Sequence, residues 1–322
     1  MLIIATLVFF TDIMKIAIVV PYFGIWPVWF PAFLHSCRYN SDIDWIFFTD
    51  CEKVPYRGNN VKFISFTLKD FCDLASRELE FPVHFSKAYK ICEFKPALGL
   101  IFQEYLTDYD FWGHGDIDIV FGNIRKFITN DILDEHDMIT SLSANKPRLS
   151  GHFTLYKNTS KINKLFQKHP MYQVQFQEEK YTGFDEGKMG HLTNKLMKEG
   201  EIKIYRPRQS LVNFASPKTE REIYHESHLP MYVNRWCWRK GKLYDGQEEI
   251  MYLHFLNWKK TLRKCYFNYS DEPELFYISY SHIGNKYSWP PIQSVIDKLK
   301  APLIYSDSYR QVKRLFSSQS SG

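Results

Sequence analysis

The chain has 322 residues, of which 45% are hydrophobic and 17% aromatic, enough to bury a large core as one elaborated domain or as a domain with a small appendage. Its formal net charge of +5 is too small for the dense basic surface of a nucleic-acid-binding protein, so nucleic acid is excluded as a partner, whereas an anionic small molecule or membrane surface fits. The six cysteines form no C-x-x-C pair, which excludes a structural zinc site and a disulfide framework and indicates the reduced thiols of a cytosolic protein.

The N-terminus carries an apolar run of about nine residues. This run is too short to span a bilayer, and it lacks the basic residues that precede the apolar core of a signal peptide. Met14 is followed by KIAIVVPYFG, which is typical of the first strand of an α/β domain. We therefore interpret residues 1–13 as an extension outside the fold or a misplaced start, and we expect a chain that begins at Met14 to fold.

Strand and helix patterns alternate along the first third of the chain. The predicted elements are strands at 15–20, 44–49 and 61–66, and helices at 29–37 and from Pro96 to about Tyr105. This order predicts an α/β fold with a mostly parallel central sheet flanked by helices, whose ligand lies at the carboxyl ends of the strands. Tyr22 and Asp50 directly follow the first two strands, so we expect both to contact the ligand.

The rest of the chain is predicted to complete the same domain. Neither G-x-G-x-x-G nor G-x-x-x-x-G-K-[ST] occurs, which argues against a dinucleotide-binding fold and a P-loop NTPase. Further strands are predicted at 138–141 and 152–156, and a helix at 186–198. We divide the fold into a nucleotide-binding half at 14–122, an acceptor-binding half at 123–264 and a C-terminal extension at 265–322. The apolar and basic residues at 292–316 fit either an ordinary solvated helix or a helix that lies on an anionic membrane.

Two aspartates, Asp116 and Asp118, stand in YDFWGHGDIDIVFGNI at the end of a predicted buried strand. In an extended backbone residues i and i+2 point to the same side, so the two carboxylates can offer oxygen ligands to Mg²⁺ or Mn²⁺, which in turn bind a diphosphate. Most such pairs are solvated turns, but apolar residues flank this one on both sides. The context therefore favours a metal site.

This motif, followed by Phe121-Gly122, resembles the metal motif of GT-A glycosyltransferases. In detail the sequence is similar to the glycosyltransferase-like proteins of bacterial polysaccharide gene clusters. The resemblance implies a GT-A fold, a nucleotide-sugar donor with UDP-hexose by analogy, and a saccharide or lipid-linked saccharide acceptor in the synthesis of a surface polysaccharide or lipopolysaccharide. It implies a cytoplasmic enzyme, peripheral on the membrane if the C-terminal tail binds there.

Two segments supply candidate donor contacts. In KAYKICEFKPALG, Lys87 and Lys95 are candidates to bind phosphate oxygens while Glu93 orients a lysine or a ribose hydroxyl, with a solvated helix start as the alternative. In SGHFTLYKN, the resemblance implies that Gly151 and His152 line the wall between donor and acceptor.

Two further segments carry candidate acid–base and metal groups. In GFDEGK the resemblance implies that Asp185 or Glu186 binds sugar hydroxyls or acts as the general base, whereas Asp185 as a simple helix cap is the alternative. YLHFLNWKK resembles the segment that closes the site in several retaining GT-A families, although the glycine of that segment is missing here. The resemblance implies His254 as a third metal ligand and Lys259 as a diphosphate contact, with a core histidine as the alternative. Retention is favoured over inversion on this ground.

Two other functions remain open. A metal-dependent nucleotidyltransferase or phosphohydrolase would also use paired aspartates, although phosphatases with an aspartate nucleophile carry it after the first strand, where this chain has PYFG. A non-catalytic carbohydrate-binding protein would make Asp116 part of a structural turn. Metal-dependent binding of a nucleotide would distinguish a transferase from a binding protein.

Overall fold

The computed structural model describes residues 13–56, 58–140, 148–206, 236–254, 259, 262–279 and 282–284. The predicted extension at 1–13, apart from Ile13, and the basic tail at 292–316 lie outside the described residues. All six cysteines are described, and each is a free thiol. In the described residues no helix is both long and apolar enough to cross a membrane.

The main sheet is built from strands of the first two thirds of the chain. The first eight strands are β1 (Ile16–Pro21), β2 (Ile43–Thr49), β3 (Val61–Ser65), β4 (Phe111–Gly115), β5 (Ile119–Phe121), β6 (Met138–Thr140), β7 (Phe153–Lys157) and β8 (Ile204–Tyr205). Seven of these described strands form one sheet in the order β3-β2-β1-β4-β7-β6-β8, in which only β7 runs against its neighbours. The predicted α/β fold with a mostly parallel sheet is confirmed.

Helices cover both faces of this sheet. The α-helices of the described residues are α1 (Phe30–Arg38), α2 (Leu68–Leu79), α3 (Leu98–Ile101), α4 (Ile124–Phe127), α5 (Asn130–Glu135), α6 (Ser160–Asn163), α7 (Tyr172–Gln177) and α8 (Met189–Lys198). Alternate residues of β1 enter two cores: Ala17 and Val19 pack in the core that contains α2, and Ile18 packs in the core that contains α1. Because both faces are covered, the parallel strands are continuous apolar runs.

Two predicted α-helices, from Pro96 to about Tyr105 and at 186–198, begin within other helical forms. Ala88–Ala97 is a 3₁₀ helix with Pro96 in its interior, and α3 follows it only at Leu98. Shorter 3₁₀ helices lie at Gln103–Tyr105 and Leu165–Lys168. The helix predicted at 186–198 begins with a π-helical turn at Phe184–Lys188 before α8. Such turns are frequent at functional sites, and this one carries Asp185 and Glu186.

A second sheet is formed by the end of the described chain. Its region contains β9 (Trp236–Arg239), β10 (Lys242–Asp245), β11 (Glu248–Ile250), β12 (Tyr252–His254), β13 (Lys264–Cys265), β14 (Leu275–Ile278) and β15 (His282–Gly284). Six of these described strands pair in the order β11-β10-β9-β14-β15-β13. They come from both sides of residue 264, where we predicted that the acceptor-binding half ends and the C-terminal extension begins. β12 instead pairs antiparallel with β5, and in this pairing His254 lies opposite Ile119. The ladder therefore brings His254 next to the aspartate segment.

Candidate active site

The two aspartates lie between β4 and β5, at the carboxyl end of the parallel strands. The N–H of Asp116 donates to the carbonyl of His152 at 2.9 Å, so the pairing of β4 with the segment before β7 extends to this point. The side chain of Asp116 is 32% exposed, whereas Asp118 is buried. One carboxylate thus borders solvent, and the other lies beneath it.

His254 completes a group of three metal-type ligands. One ligand atom each from Asp116, Asp118 and His254 lie within 4.8 Å of one another. Nε2 of His254 lies 3.4 Å from Oδ1 of Asp118, and within the described part of the chain this buried nitrogen has no hydrogen-bond partner. Two carboxylates and an imidazole nitrogen are a donor set that suits Mn²⁺, and the carboxylates alone suit Mg²⁺. The residues therefore fit a divalent cation.

Each aspartate also forms an ion pair with a lysine. Nζ of Lys95 donates to Oδ1 of Asp116 at 2.6 Å and to the carbonyl of Gly151 at 2.6 Å. Nζ of Lys259 donates to Oδ2 of Asp118 at 2.8 Å. Lys95 and Lys259 thus flank the carboxylate pair with positive charge. Lys259, whose side chain is 36% exposed, lies where the oxygens of an anionic ligand could meet it, whereas Lys95 is buried.

These pairs set the protonation states of their members. Burial lowers the pKa of Lys95, but the nearby Asp116 outweighs it and holds that pKa well above its ordinary value. Burial raises the pKa of Asp118, but His254 and Lys259 outweigh it and bring that pKa below its ordinary value. Asp118 is therefore a permanent anion, and Lys95 a permanent cation, at neutral pH.

His152 lies behind His254. The two rings stack with centroids 4.2 Å apart and planes 17° apart. Nε2 of His152 lies 2.9 Å from the hydroxyl of Tyr252, and Nδ1 lies 3.1 Å from Oγ of Ser150. Burial holds the pKa of His152 well below its ordinary value, so the ring is neutral at pH 7. Its contacts make it a support for the His254 ring.

The π-helical turn places Asp185 and Glu186 beside this cluster. The hydroxyl of Tyr181 donates to Oδ1 of Asp185 at 3.0 Å, and burial raises the pKa of Asp185 to about 7. Gly183 precedes the turn and no side chain caps it, so the interpretation of Asp185 as a helix cap is wrong. A Cβ added at Gly151 would lie 2.4 Å from Oε1 of Glu186, so the glycine makes room for that carboxylate.

Glu93 fixes the start of this turn, a role that the sequence analysis missed. Its Oε1 accepts the N–H groups of Thr182 and Gly183, the latter at 2.7 Å, and its Oε2 accepts the Thr182 hydroxyl at 3.0 Å. The expectation that Glu93 orients a lysine or a ribose hydroxyl is therefore wrong. An acidic residue within an apolar helical segment was the available signal, but its partners lie about ninety residues away along the chain.

The remaining predicted residues are divided between the site and its surroundings. Oδ1 of Asp50 accepts the N–H of Gly24 at 2.8 Å and joins the ends of β1 and β2. The Tyr22 hydroxyl donates to the carbonyl of Ile25 at 3.0 Å, and burial, with Cys51 and Asp118, raises the pKa of Tyr22. Lys87 is exposed, and among the described residues no hydrogen bond or ion pair connects its side chain with the cluster. Tyr22 and Asp50 thus follow the carboxyl ends of β1 and β2, at the edge that carries the two aspartates, whereas none of these contacts among the described residues connects Lys87 with them.

The fold and the site together define an α/β protein with a candidate divalent-cation site at the carboxyl end of its parallel sheet. The chain belongs to a family of unknown function, DUF6625, whose model matches residues 18–286. No curated protein matches the chain in sequence.

Three solved structures that are similar to this chain are glycosyltransferases. The galactosyltransferase LgtC, in complex with donor and acceptor sugar analogues, matches with 13% identity over 65% of this chain and 78% of its own, at a TM-score of 0.38. GlyE of Streptococcus pneumoniae TIGR4 matches with 14% identity over 61% of this chain and 46% of its own, at a TM-score of 0.35. Mouse xyloside xylosyltransferase 1 matches with 9% identity over 66% of this chain and 91% of its own, at a TM-score of 0.37.

Proposed function

We propose that this protein is a divalent-cation-dependent glycosyltransferase that moves a sugar from a nucleotide-sugar donor to a saccharide acceptor. The observation that carries the proposal is the group of Asp116, Asp118 and His254, whose ligand atoms lie within 4.8 Å of one another. Lys95 and Lys259 flank this group. Paired carboxylates beside lysines are the chemistry that holds a diphosphate together with its cation.

The three cation ligands and the two lysines would have different roles in binding the donor. Asp116, Asp118 and His254 would hold Mn²⁺ or Mg²⁺, and the bound cation would act as a Lewis acid that stabilises negative charge on the departing diphosphate. Lys259 has a side chain that is 36% exposed, so it can exchange the Asp118 oxygen for a phosphate oxygen. Lys95 is buried and fixes the orientation of the Asp116 carboxylate.

Asp185 is the candidate acid–base group if the reaction inverts. A carboxyl with a pKa of about 7 is partly ionised at neutral pH, and it can accept a proton from a hydroxyl group. In an inverting reaction Asp185 or Glu186 would deprotonate the acceptor hydroxyl. In a retaining reaction the departing phosphate would take that proton, and the two carboxylates would bind hydroxyls. The resemblance of YLHFLNWKK to retaining families favours retention.

The finer parts of the proposal follow from the sequence resemblance. The donor is a UDP-hexose, and the acceptor is a saccharide or lipid-linked saccharide on the route to a bacterial surface polysaccharide or lipopolysaccharide. The enzyme acts in the cytoplasm, where the basic and apolar tail at 292–316 supports peripheral contact with an anionic membrane.

The test is thermal unfolding of the full chain with UDP, GDP, CMP and dTDP, each with and without Mn²⁺. A ligand that binds only the native state raises the melting temperature by mass action. We expect one nucleotide to give a shift that requires Mn²⁺ and that disappears in Asp116→Asn. Asp108→Asn, which changes an exposed aspartate before β4, is the matched control and should keep the shift. No shift with any nucleotide would contradict the proposal.

A further inference from the structure

Two tyrosines form an exposed aromatic surface next to the candidate active site. Tyr89 is 67% exposed and Tyr181 is 38% exposed. Their rings meet edge to face, with centroids 5.1 Å apart and planes 67° apart. Among the described residues, the other exposed tyrosines with ring contacts pack against buried or partly buried rings. Tyr89 and Tyr181 are therefore an exposed pair in which the rings contact each other.

The pair borders the carboxylates of the site. The hydroxyl of Tyr181 donates to Asp185 at 3.0 Å. Partial burial raises the pKa of Tyr89, and the charges of Asp116 and Asp185 are among the groups that raise it further, so Tyr89 also lies close to the cluster. The aromatic surface is thus continuous with the acidic edge of the site.

Two buried residues hold the tyrosines in place from below. Nζ of Lys90, the neighbour of Tyr89, donates to the carbonyl of Lys180, the neighbour of Tyr181, at 2.9 Å. Glu93 accepts the N–H of Gly183 at 2.7 Å and so joins the same two segments again. The exposed rings therefore stand on a fixed backbone, and a ligand that packs on them pays little ordering entropy.

We propose that Tyr89 and Tyr181 form a subsite for the saccharide acceptor. A pyranose has an apolar C–H face and an edge of hydroxyl groups, so an aromatic surface beside a carboxylate can bind both. The ring faces pack against the sugar while Asp185 accepts a hydroxyl hydrogen. The inference rests on the proposed function, because it assigns the place of the acceptor in that reaction.

The test is saturation-transfer-difference NMR on the full chain with UDP and Mg²⁺. The probes are the methyl glycosides of glucose, galactose, mannose and N-acetylglucosamine at millimolar concentration. We expect transfer from protein to the sugar C–H protons of at least one glycoside. Its affinity should fall roughly three- to tenfold in Tyr89→Ala, because a packed aromatic face contributes that much.

Matched variants separate the aromatic surface from the overall fold. Tyr266→Ala removes another exposed tyrosine, which lies in the region of the second sheet, and should bind glycosides like the unchanged protein. Tyr89→Phe keeps the ring and should bind them like the unchanged protein. The Mn²⁺-dependent nucleotide shift in the melting temperature checks that Tyr89→Ala is folded.

Two results would overturn the subsite: equal glycoside binding in Tyr89→Ala and the unchanged protein, or no transfer to any of the four glycosides. If the nucleotide shift is present in either case, the subsite fails and the proposed function stands. Absence of the nucleotide shift from the unchanged protein is the separate result that refutes the proposed function.

Discussion

Asp118 and Asp185 are buried to nearly the same extent, with 3% and 4% of their surfaces exposed, but their pKa values move in opposite directions. Burial raises both, yet His254 and Lys259 reverse the effect at Asp118. At Asp185 the charge of Lys95 and a hydrogen bond from Tyr181 lower the pKa, but they do not offset burial and the charge of Glu186, and the pKa rises to about 7. The partner of a buried carboxyl, more than its depth, decides whether it is a permanent anion or a group that exchanges protons.

The two environments match two tasks. A permanent anion such as Asp118 suits a cation, because a metal ligand must be deprotonated. A carboxyl with a pKa near neutrality, such as Asp185, suits proton transfer. The same edge of the sheet thus offers an electrostatic region at Asp118 and an acid–base region at Asp185.

Asp118→Asn is expected to have the largest effect. The variant keeps the shape of the buried side chain but removes the charge that faces His254 and Lys259. We expect the Mn²⁺-dependent nucleotide shift to disappear and the transfer rate to fall by roughly 10²–10³. Differential scanning calorimetry and a donor-consumption assay measure the two effects. If the variant keeps the nucleotide shift, Asp118 does not bind the cation, and the contrast drawn between Asp118 and Asp185 is wrong.

In an inverting reaction, in which Asp185 would be the base, Asp185→Asn should lower the transfer rate by about 10²-fold while the nucleotide shift remains. Asp185 also makes the stability of the unchanged protein depend on pH. The folded-state pKa of about 7 lies above the unfolded value, so the folded protein binds more protons and this carboxyl destabilises it as pH rises from about 4 to about 7. The melting temperature of the variant relative to the unchanged protein should therefore rise across that window. If this difference in melting temperature does not change with pH, the pKa of Asp185 is not raised and the carboxyl is solvated.

Glu93→Gln tests the support of the acid–base region. The amide accepts less strongly than the carboxylate from the N–H groups of Thr182 and Gly183, so we expect a loss of about 1–2 kcal/mol in the free energy of unfolding. The transfer rate should fall while the nucleotide shift stays. Urea unfolding measures the stability, with Glu104→Gln on the surface as control. Loss of the nucleotide shift as well would show that the two regions are not independent.

Tyr181→Phe should have the smallest effect and the most specific one. The Tyr181 hydroxyl lowers the pKa of Asp185, so its removal raises that pKa further. In an inverting reaction, the rise of kcat/KM with pH, which follows ionisation of the base, should then move to higher pH. The pH profile of the variant measures this, and Tyr89→Phe should leave the profile unchanged. A profile that does not move would separate Asp185 from proton transfer.

The sequence predicts the main sheet well and the second sheet poorly. The first strand was predicted at 15–20 and lies at Ile16–Pro21, because a buried parallel strand is a continuous apolar run between turn residues. The strands of the second sheet have only two to four residues, for example Lys264–Cys265 and Glu248–Ile250, which is too short for a periodic pattern. None of them was predicted.

The candidate site was also predicted only in part from the sequence. The spacing of Asp116 and Asp118, together with the apolar residues on both sides, pointed to this pair, since all of these residues lie within one short segment. The contacts of Asp118 with His254 and Lys259, and of Lys95 with Asp116, join residues that are distant along the chain, and only a family resemblance suggested that they belong together. Glu93 was singled out in the sequence, but its backbone partners lie about ninety residues away along the chain and were missed.

The short ladder between β5 and β12 makes the site sensitive to insertions. It has three residue pairs, and its position is fixed by the Gly122 N–H, which donates to Met251 at 2.7 Å, and by Trp238, whose indole N–H donates to Phe121 at 3.0 Å. Because neighbouring residues of a strand face opposite sides, one residue added to β12 would turn the imidazole of His254 away from Asp118. Changes in chain length are thus tolerated better in the β10–β11 turn than in this ladder.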